Sequence, residues 1–466
     1  MTTTAVKTLG DEKVEALRGS VRGDVLALGS DGYEASRRIW NAMHDRHPAV
    51  VLRPTGVADV RAGIAFAREL DLPLSIKGGG HNIAGLAVAD GAVMLDMSRM
   101  RAVLVDKRAQ VARAQAGCLL GDVDRETQVH GLAAVLGFVS ETGIAGLTLG
   151  GGFGYLSRRF GWTVDNLREV ELVTAGGDVL RASEDSNPDL FWAVSGGGGN
   201  FGVVTSFTYD LKEVGPDIVG GPIAWHGSDA LEVLDFLRSF ADDAPRELTC
   251  VGGVRLAPPA PWLPSEVHGK PIVMVIACYS GDPEEGEKVV APLKAFGDPV
   301  GGALQRRPYT QMQSLLDATQ PKGRRYYWKS EYVSALEDGL IETIVGGLGT
   351  ISSPHSAILL FQLGGAVRER DASVNAAGNR EAGWVVNVAG SWEQTSDDEK
   401  NKDWARTVHS DCLPYSSGLY VNFLNDDDDE ARVAAAYGAN FERLAKIKSE
   451  YDPDNFFRLN KNVRPR

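Results

Sequence analysis

The chain has 466 residues, with 48 Lys and Arg against 62 Asp and Glu, a net charge of −14. That acidic balance, with no basic run longer than an arginine pair such as Arg324-Arg325, argues against nucleic acid as a partner, which needs clustered cations. Hydrophobic residues at 43% exclude a largely disordered chain, and no apolar stretch approaches the ~20 residues of a membrane helix.

In chain order, residues 1–19 are polar and charged, unlike a signal peptide, so the cytoplasm is the expected compartment. A helix is predicted over 11–18 and a buried strand over 50–54, ended by Pro54. Thr55 reads as the N-cap of a helix through 70. Strands follow over 72–77, 92–97 and 110–116, then a helix over 119–130. Residues 143–154 hold too many glycines for a long helix. Residues 167–183 read as a hairpin turning at Gly176-Gly177, 189–194 as a helix and 203–211 as a strand. After 215 the texture changes. Pro258, Pro259, Pro261 and Pro264 mark a loop. A strand over 272–279 precedes a helix over 284–296, and 341–348 precedes strands over 357–363 and 384–389. The aspartates at 426–429 read as a solvated turn, and 431–449 as one amphipathic helix. The expected class is α+β, with a largely antiparallel sheet in the second half.

Four cysteines, at 118, 250, 278 and 412, have the spacing of neither a disulfide framework nor a zinc site, and no metal centre is expected. Glycine is unusual: 54 of 466, against a common share of ~7%. One G-x-G-x-x-G match exists, Gly197, Gly199 and Gly202, but a helix precedes it and a strand follows, the reverse of the dinucleotide fingerprint. P-loop, H-E-x-x-H and G-x-S-x-G motifs are absent.

The glycines collect in three blocks. The first, Lys77-Gly78-Gly79-Gly80-His81-Asn82-Ile83-Ala84-Gly85, follows a strand, so its amides can form an anion-binding nest. The second runs from Ser140 through Thr142 and Gly154 to Tyr155, and the third from Ser195 to Gly202. Without side chains, such loops let a large flat or phosphorylated ligand approach the backbone.

Taken with Asp165-Asn166, Asp189-Leu190-Phe191-Trp192-Ala193, Tyr420-Val421-Asn422-Phe423 and Tyr451-Asp452-Pro453, these blocks resemble the berberine bridge enzyme-like branch of the vanillyl-alcohol oxidase flavoproteins, from about residue 35 to 466. The resemblance is to bacterial members with a single covalent flavin link. It implies a two-part PCMH-type FAD-binding domain over 1–215, a substrate domain over 216–424, and a C-terminal segment, 425–466, that returns to the FAD domain. It implies FAD bonded through His81. The second attachment position, a cysteine in relatives linked twice, falls here on Val139. The implied cofactor contacts are Lys77, Gly78, Gly79, Gly80, Asn82 and Gly85; Gly117 and Cys118; Thr142, Gly143, Gly146, Leu147, Gly150, Gly151, Gly152, Gly154 and Tyr155; Asn166, Gly202 and Val204; and Tyr420, Asn422, Asn460 and Asn462.

Hydride transfer to the flavin also calls for a group that handles the substrate proton. The strand over 357–363, the family's usual place for it, offers only Gln362, and 384–389 offers Asn387; neither is a base. Tyr279, Tyr327 and Tyr420 are candidates, with Tyr420 favoured. Thr142 is the expected control of oxygen access, smaller than the Leu that the resemblance associates with dehydrogenases. The expected function is an oxidase of a small aromatic, polyketide-like alcohol or amine, with molecular oxygen reduced to hydrogen peroxide. An oxygenating or cyclising tailoring enzyme of secondary metabolism and a non-catalytic flavin-fold binding protein are the alternatives. A homodimer is left open.

Overall fold

The structure is a computed structural model that describes residues 9–466. The first part of the polar lead-in, 1–8, lies outside the described residues. Strands Val50–Arg53, Leu74–Lys77 and Val93–Asp96 run parallel, with Asp24–Ala27 added antiparallel at one edge. Val50, Val51 and Leu52 are completely buried, as a parallel strand covered on both faces requires. The helix Val57–Glu69 links two of these strands. Its N-cap is Gly56 and makes no side-chain bond. Thr55 instead gives its amide and hydroxyl to Asp59, which also holds the amides of Arg22 and Gly23. The expected Thr55 cap is thus replaced by a carboxylate that ties down the lead-in.

A second sheet is wholly antiparallel, in the order Val103–Asp106, Val111–Gln115, Val203–Asp210, Leu167–Val173, Val179–Ser183. The 167–183 hairpin forms as expected, and Gly177 takes the left-handed turn conformation at φ +87°.

Residues 217–418 build a nine-stranded antiparallel sheet. Its central order is Asp217–His226, Pro271–Tyr279, Leu248–Leu256, Ala357–Gln362, Trp384–Trp392, Arg325–Val333. Helices Ala230–Asp242, Asp338–Gly349 and Asp398–Cys412 cover one face. The other face turns its alternate residues, among them Tyr332, Phe361 and Val385, toward the first half of the chain.

The chain then returns. Leu419, Val421 and Leu424, with helices Glu430–Tyr437 and Phe441–Tyr451, join the core of the two smaller sheets. The single helix expected over 431–449 is broken at Gly438, whose φ of +53° ends the first piece. The helix expected over 284–296 is likewise two, Pro283–Val289 and Ala291–Ala295, with Pro292 at the restart. The 426–429 run is a turn with Asp426, Asp427 and Asp429 exposed, as expected, but it also has structural work: Asp427 and Asp428 grip Lys329 at 2.7 and 2.9 Å, and Asp429 caps the helix Glu430–Tyr437.

Candidate active site

The three glycine blocks, the cavity-facing side of the large sheet and the C-terminal return enclose one long cavity, lined from Trp40 to Lys461. Its first wall is the loop after strand Leu74–Lys77. The amides of residues 79–82 donate to no protein group among the described residues, which leaves them available to an acceptor in a nest. Gly79 lies so close to Gly143 that a Cβ would stand 2.3 Å from the Gly143 amide nitrogen. Two chain segments therefore meet backbone to backbone here, and only glycine permits it.

The second block contributes Thr142, Gly143, Gly146, Leu147 and Gly150, on and beside the short helix Ile144–Leu149. Gly150 abuts Asn422, whose Nδ2 donates to the Leu147 carbonyl and to the Tyr420 hydroxyl, at 3.1 and 2.9 Å. Gly198, Gly199 and Gly202 line the cavity from the third block, Val204 from the strand Val203–Asp210 after it, and Asn460, Tyr437 and Lys461 from the return. Among the described residues Lys461 is the only ordinarily cationic side chain on the wall, and no carboxylate stands there. Burial pushes the Lys461 amine down to about 8.

Above His81 the wall is aromatic: Trp40, Phe138, Phe153, Trp328, Phe361, Tyr420 and Phe423. Phe153 packs edge-on to Tyr420 at 4.9 Å, and Trp328 edge-on to Phe423 at 5.4 Å. Five polar atoms of cavity-lining residues are buried with no protein partner: Gln320 Oε1, Trp328 Nε1, Asn387 Oδ1, Tyr437 Oη and Asn460 Oδ1. Each is costly to bury unless a ligand or water completes it. Burial, with the Lys322 cation adding to it, pushes the His81 imidazole down to about 4, so the ring is neutral near pH 7. Burial pushes the Tyr420 phenol well up, against the Asn422 hydrogen bond.

The structure moves other expected residues off the wall. Lys77 turns back to Asp96 at 3.0 Å and to the Ser36 carbonyl. Gly85 makes room for the His44 ring, and Gly117 for the Met97 carbonyl. The Cys118 thiol is directed at the Ala102 carbonyl, 3.6 Å away. Gly151 and Gly152 take left-handed turn conformations that pack on Ala377 and Thr163, while Gly154 fits against the Leu136 carbonyl. Tyr155 stands behind Phe138, edge-on at 4.7 Å. Asn166 closes a turn onto the Phe160 and Trp162 carbonyls. Asn462 keeps a buried, unpartnered Oδ1 but lies outside the lining.

Gln362 is the clearest correction. On strand Ala357–Gln362, Leu359 and Phe361 face the cavity, so period-two alternation turns Gln362 the other way. There it accepts from the Cys250 amide and donates to the Ala241 carbonyl, at 2.9 Å each. Tyr327 is on that same covered face, bonded to Asp427 at 2.6 Å, and Tyr279 packs in the core there. Tyr420, Asn387 and Thr142 remain on the wall. Trp40, Gln320 and Trp328 were missed. Alternation of aromatics through Tyr326, Trp328 and Tyr332 was the signal for one of them.

Residues 48–183 match the FAD binding domain family, and residues 419–464 the berberine and berberine-like family. An FAD-linked oxidoreductase of Dictyostelium discoideum is 33% identical, covering 96% of this chain and 95% of its own. The (R)-6-hydroxynicotine oxidase of Paenarthrobacter nicotinovorans is 30% identical, covering 96% and 97%. The crystal structure of 6-hydroxy-D-nicotine oxidase from Arthrobacter nicotinovorans superposes with a TM-score of 0.84 at 28% identity, over 96% of this chain and 99% of that one. The cavity and these relatives define a flavin-dependent oxidoreductase. The chain belongs to the berberine bridge enzyme-like family of FAD-linked oxidoreductases. The non-catalytic alternative is thereby set aside.

The residues present fit FAD. The unpaired amides of 79–82, the backbone contact that glycine allows at Gly79 and Gly143, and the orphan groups of Tyr437 and Asn460 suit a long cofactor with anionic and polar parts. When bound, FAD supplies the two-electron acceptor.

Proposed function

We propose that this chain is an oxidase with FAD joined once, through a His81 ring nitrogen and the flavin 8α-methyl group, acting on a small neutral aromatic alcohol or amine. The observation that carries this reading is His81 itself: a neutral imidazole on the cavity wall, its ring nitrogens bonded to no protein group among the described residues. The whole-length similarity to an enzyme named as a hydroxynicotine oxidase supports it. Val139 at the other attachment position leaves the link single.

The substrate class follows from the wall. Aromatic rings, with Gln320, Asn387 and Tyr420 as the polar groups around them, suit a flat neutral molecule, and the missing carboxylate disfavours a permanent cation. With no carboxylate on the wall to act as base, the substrate is one that releases its own proton readily, such as a phenol, or an amine in its neutral form. Tyr420 and Asn387 position it by hydrogen bonds, and Thr142 leaves oxygen a way in. A homodimer is not needed to complete this wall, which one chain supplies.

The test begins with acid precipitation of the purified protein. Yellow colour in the pellet, and FAD mass on the tryptic peptide 78–99, are expected. Oxygen uptake and peroxide release with an aromatic amine and alcohol panel should follow. Colour entirely in the supernatant would remove the His81 link.

A further inference from the structure

His81 is stacked on an aromatic ring. Its ring lies 5.2 Å from that of Trp40, centroid to centroid, with 15° between the planes. Trp40 is stacked on its other partner, Tyr326, at 3.7 Å and 13°. His81 has no protein hydrogen bond among the described residues, so the indole face is the flat neighbour lying parallel to the imidazole.

The stack is held from two parts of the chain. Trp40 donates its amide to the Gly80 carbonyl at 3.0 Å, tying it to the loop that carries His81. Its indole N–H donates to the Gln320 carbonyl at 2.9 Å, and its own carbonyl accepts from the Gly323 amide at 3.0 Å. Tyr326 donates its hydroxyl to the Pro321 carbonyl at 2.6 Å. Asn41 completes the splice: its Nδ2 donates to the Ile83 and Tyr326 carbonyls, and its Oδ1 accepts the Tyr326 amide. Every partner in 320–326 belongs to the half of the chain that builds the large sheet. Trp40 is 2% exposed, so this is a packed joint.

We infer that Trp40, backed by Tyr326, is the positioning residue for flavin attachment, and that attachment waits until segment 320–326 has seated on the His81 loop. The inference rests on the His81 reading above. In the attachment, the 8α-methyl carbon gives up one hydrogen and the imidazole its N–H hydrogen as the C–N bond forms. The two electrons and two protons released reside on the isoalloxazine until molecular oxygen removes them as hydrogen peroxide. The stack has one task in this balance: it aims the ring nitrogen at the methyl group and keeps the ring from rotating away.

The experiment follows attachment, not turnover. Full-length wild type and the W40F, W40L, Y326L and H81A variants are prepared with little flavin and mixed with FAD in air. Bound flavin is read by colour after gel filtration, and attached flavin by colour in the acid pellet. W40F, which keeps a flat ring, should attach within about threefold of the wild-type rate. W40L and Y326L should bind FAD yet attach at least about tenfold more slowly. W40L attaching at the wild-type rate, with H81A attaching none, would overturn the inference and leave the His81 reading intact. Wild type attaching none would overturn both. Should W40L fail to fold, Y326L decides, since it leaves the Trp40 N–H bond in place. Loss of FAD binding in step with attachment would show Trp40 to be structural only, and would also overturn it.

Discussion

Arg380 and Asp165, 215 positions apart, form a two-pronged ion pair: Nη2 meets Oδ1 at 2.7 Å and Nη1 meets Oδ2 at 2.9 Å. Their side chains are 1% and 0% exposed. Asp165 also accepts from the Trp162 amide and Asn375 Nδ2, and Arg380 lies over the Trp162 ring. The pair therefore pins the 161–166 turn, and with it the Gly151 and Gly152 carbonyls that accept from Val164 and Thr163, to the far half of the chain. Arg380→Met leaves a buried carboxylate without its counterion and should cost ~3–5 kcal/mol. Asp165→Leu with Arg380→Met removes both charges and should cost less than the single change. Urea unfolding of the three proteins measures the difference.

Gly79→Ala should prevent the two glycine loops from closing. The new methyl would meet Gly143 backbone atoms at 2.3 and 2.6 Å, which no rotamer change relieves. Overpacking of this kind costs ~1–3 kcal/mol, and the FAD content of purified protein should fall at least about tenfold. Gly346→Ala, where nothing stands within 4 Å in the helix Asp338–Gly349, should be neutral or slightly stabilising. Flavin absorbance per protein and melting temperature report both.

The sequence carried the blocks but not their depth. Gly79, Gly143, Gly150 and Gly202 read as places where a ligand approaches the backbone, whereas a Cβ there would meet Gly143, Gly79, Asn422 and Val173 of the protein itself. Lys77 was misread because it adjoins the same run, yet strand alternation and Asp96 turn it inward. Gln362 was misread for a related reason: a polar residue in an apolar strand marks an unusual environment, but only the register tells which face. Leu359 pairs with Asn387, and that single registration places Asn387 on the cavity and Gln362 against Ala241. Trp40 could not be found from sequence, since its role depends on a carbonyl at Gln320, 280 positions away.

Thr142→Leu should slow reoxidation while sparing reduction. Thr142 lines the cavity beside Gly143, and its carbonyl is already engaged by the Leu120 amide, so a larger side chain extends into the open space. Stopped-flow mixing of the reduced protein with oxygen should show at least about a tenfold slower return of flavin colour. Anaerobic reduction by substrate should change by less than about twofold.

Tyr420→Phe should lower the rate of flavin reduction about tenfold, the scale of one hydrogen bond at ~1–1.5 kcal/mol. Burial holds the phenol protonated through the neutral and mildly alkaline range, and Asn422 donates to its oxygen. Tyr420 is therefore expected to donate to a substrate and not to act as its base. The pH profile of reduction between about 6 and 9 should keep its shape in the variant. A profile that flattens on removing the hydroxyl would make Tyr420 the base.

The last prediction concerns the His81 titration. Its ordinary value near 6.5 applies to the unfolded chain, and burial, with Lys322, lowers the folded value to about 4. Between these values the unfolded chain binds a proton that the folded protein refuses. The stability His81 contributes is therefore full above about 6.5 and is lost as pH falls through that window. Flavin-free protein should lose stability on acidification from about pH 7 to 4, and H81A should lose less. In the proposed attachment the His81 nitrogen attacks unprotonated, so the rate should be nearly flat from about pH 8 to 5 and fall only near 4. An exposed histidine would already be half inactive at about 6.5. Removing the nearby cation with Lys322→Ala should move the fall upward, toward 6.5. Attachment rates read from acid pellets across that range decide it, and a wild-type midpoint at about 6.5 would mean that the imidazole is hydrated and the stack on Trp40 open when FAD enters.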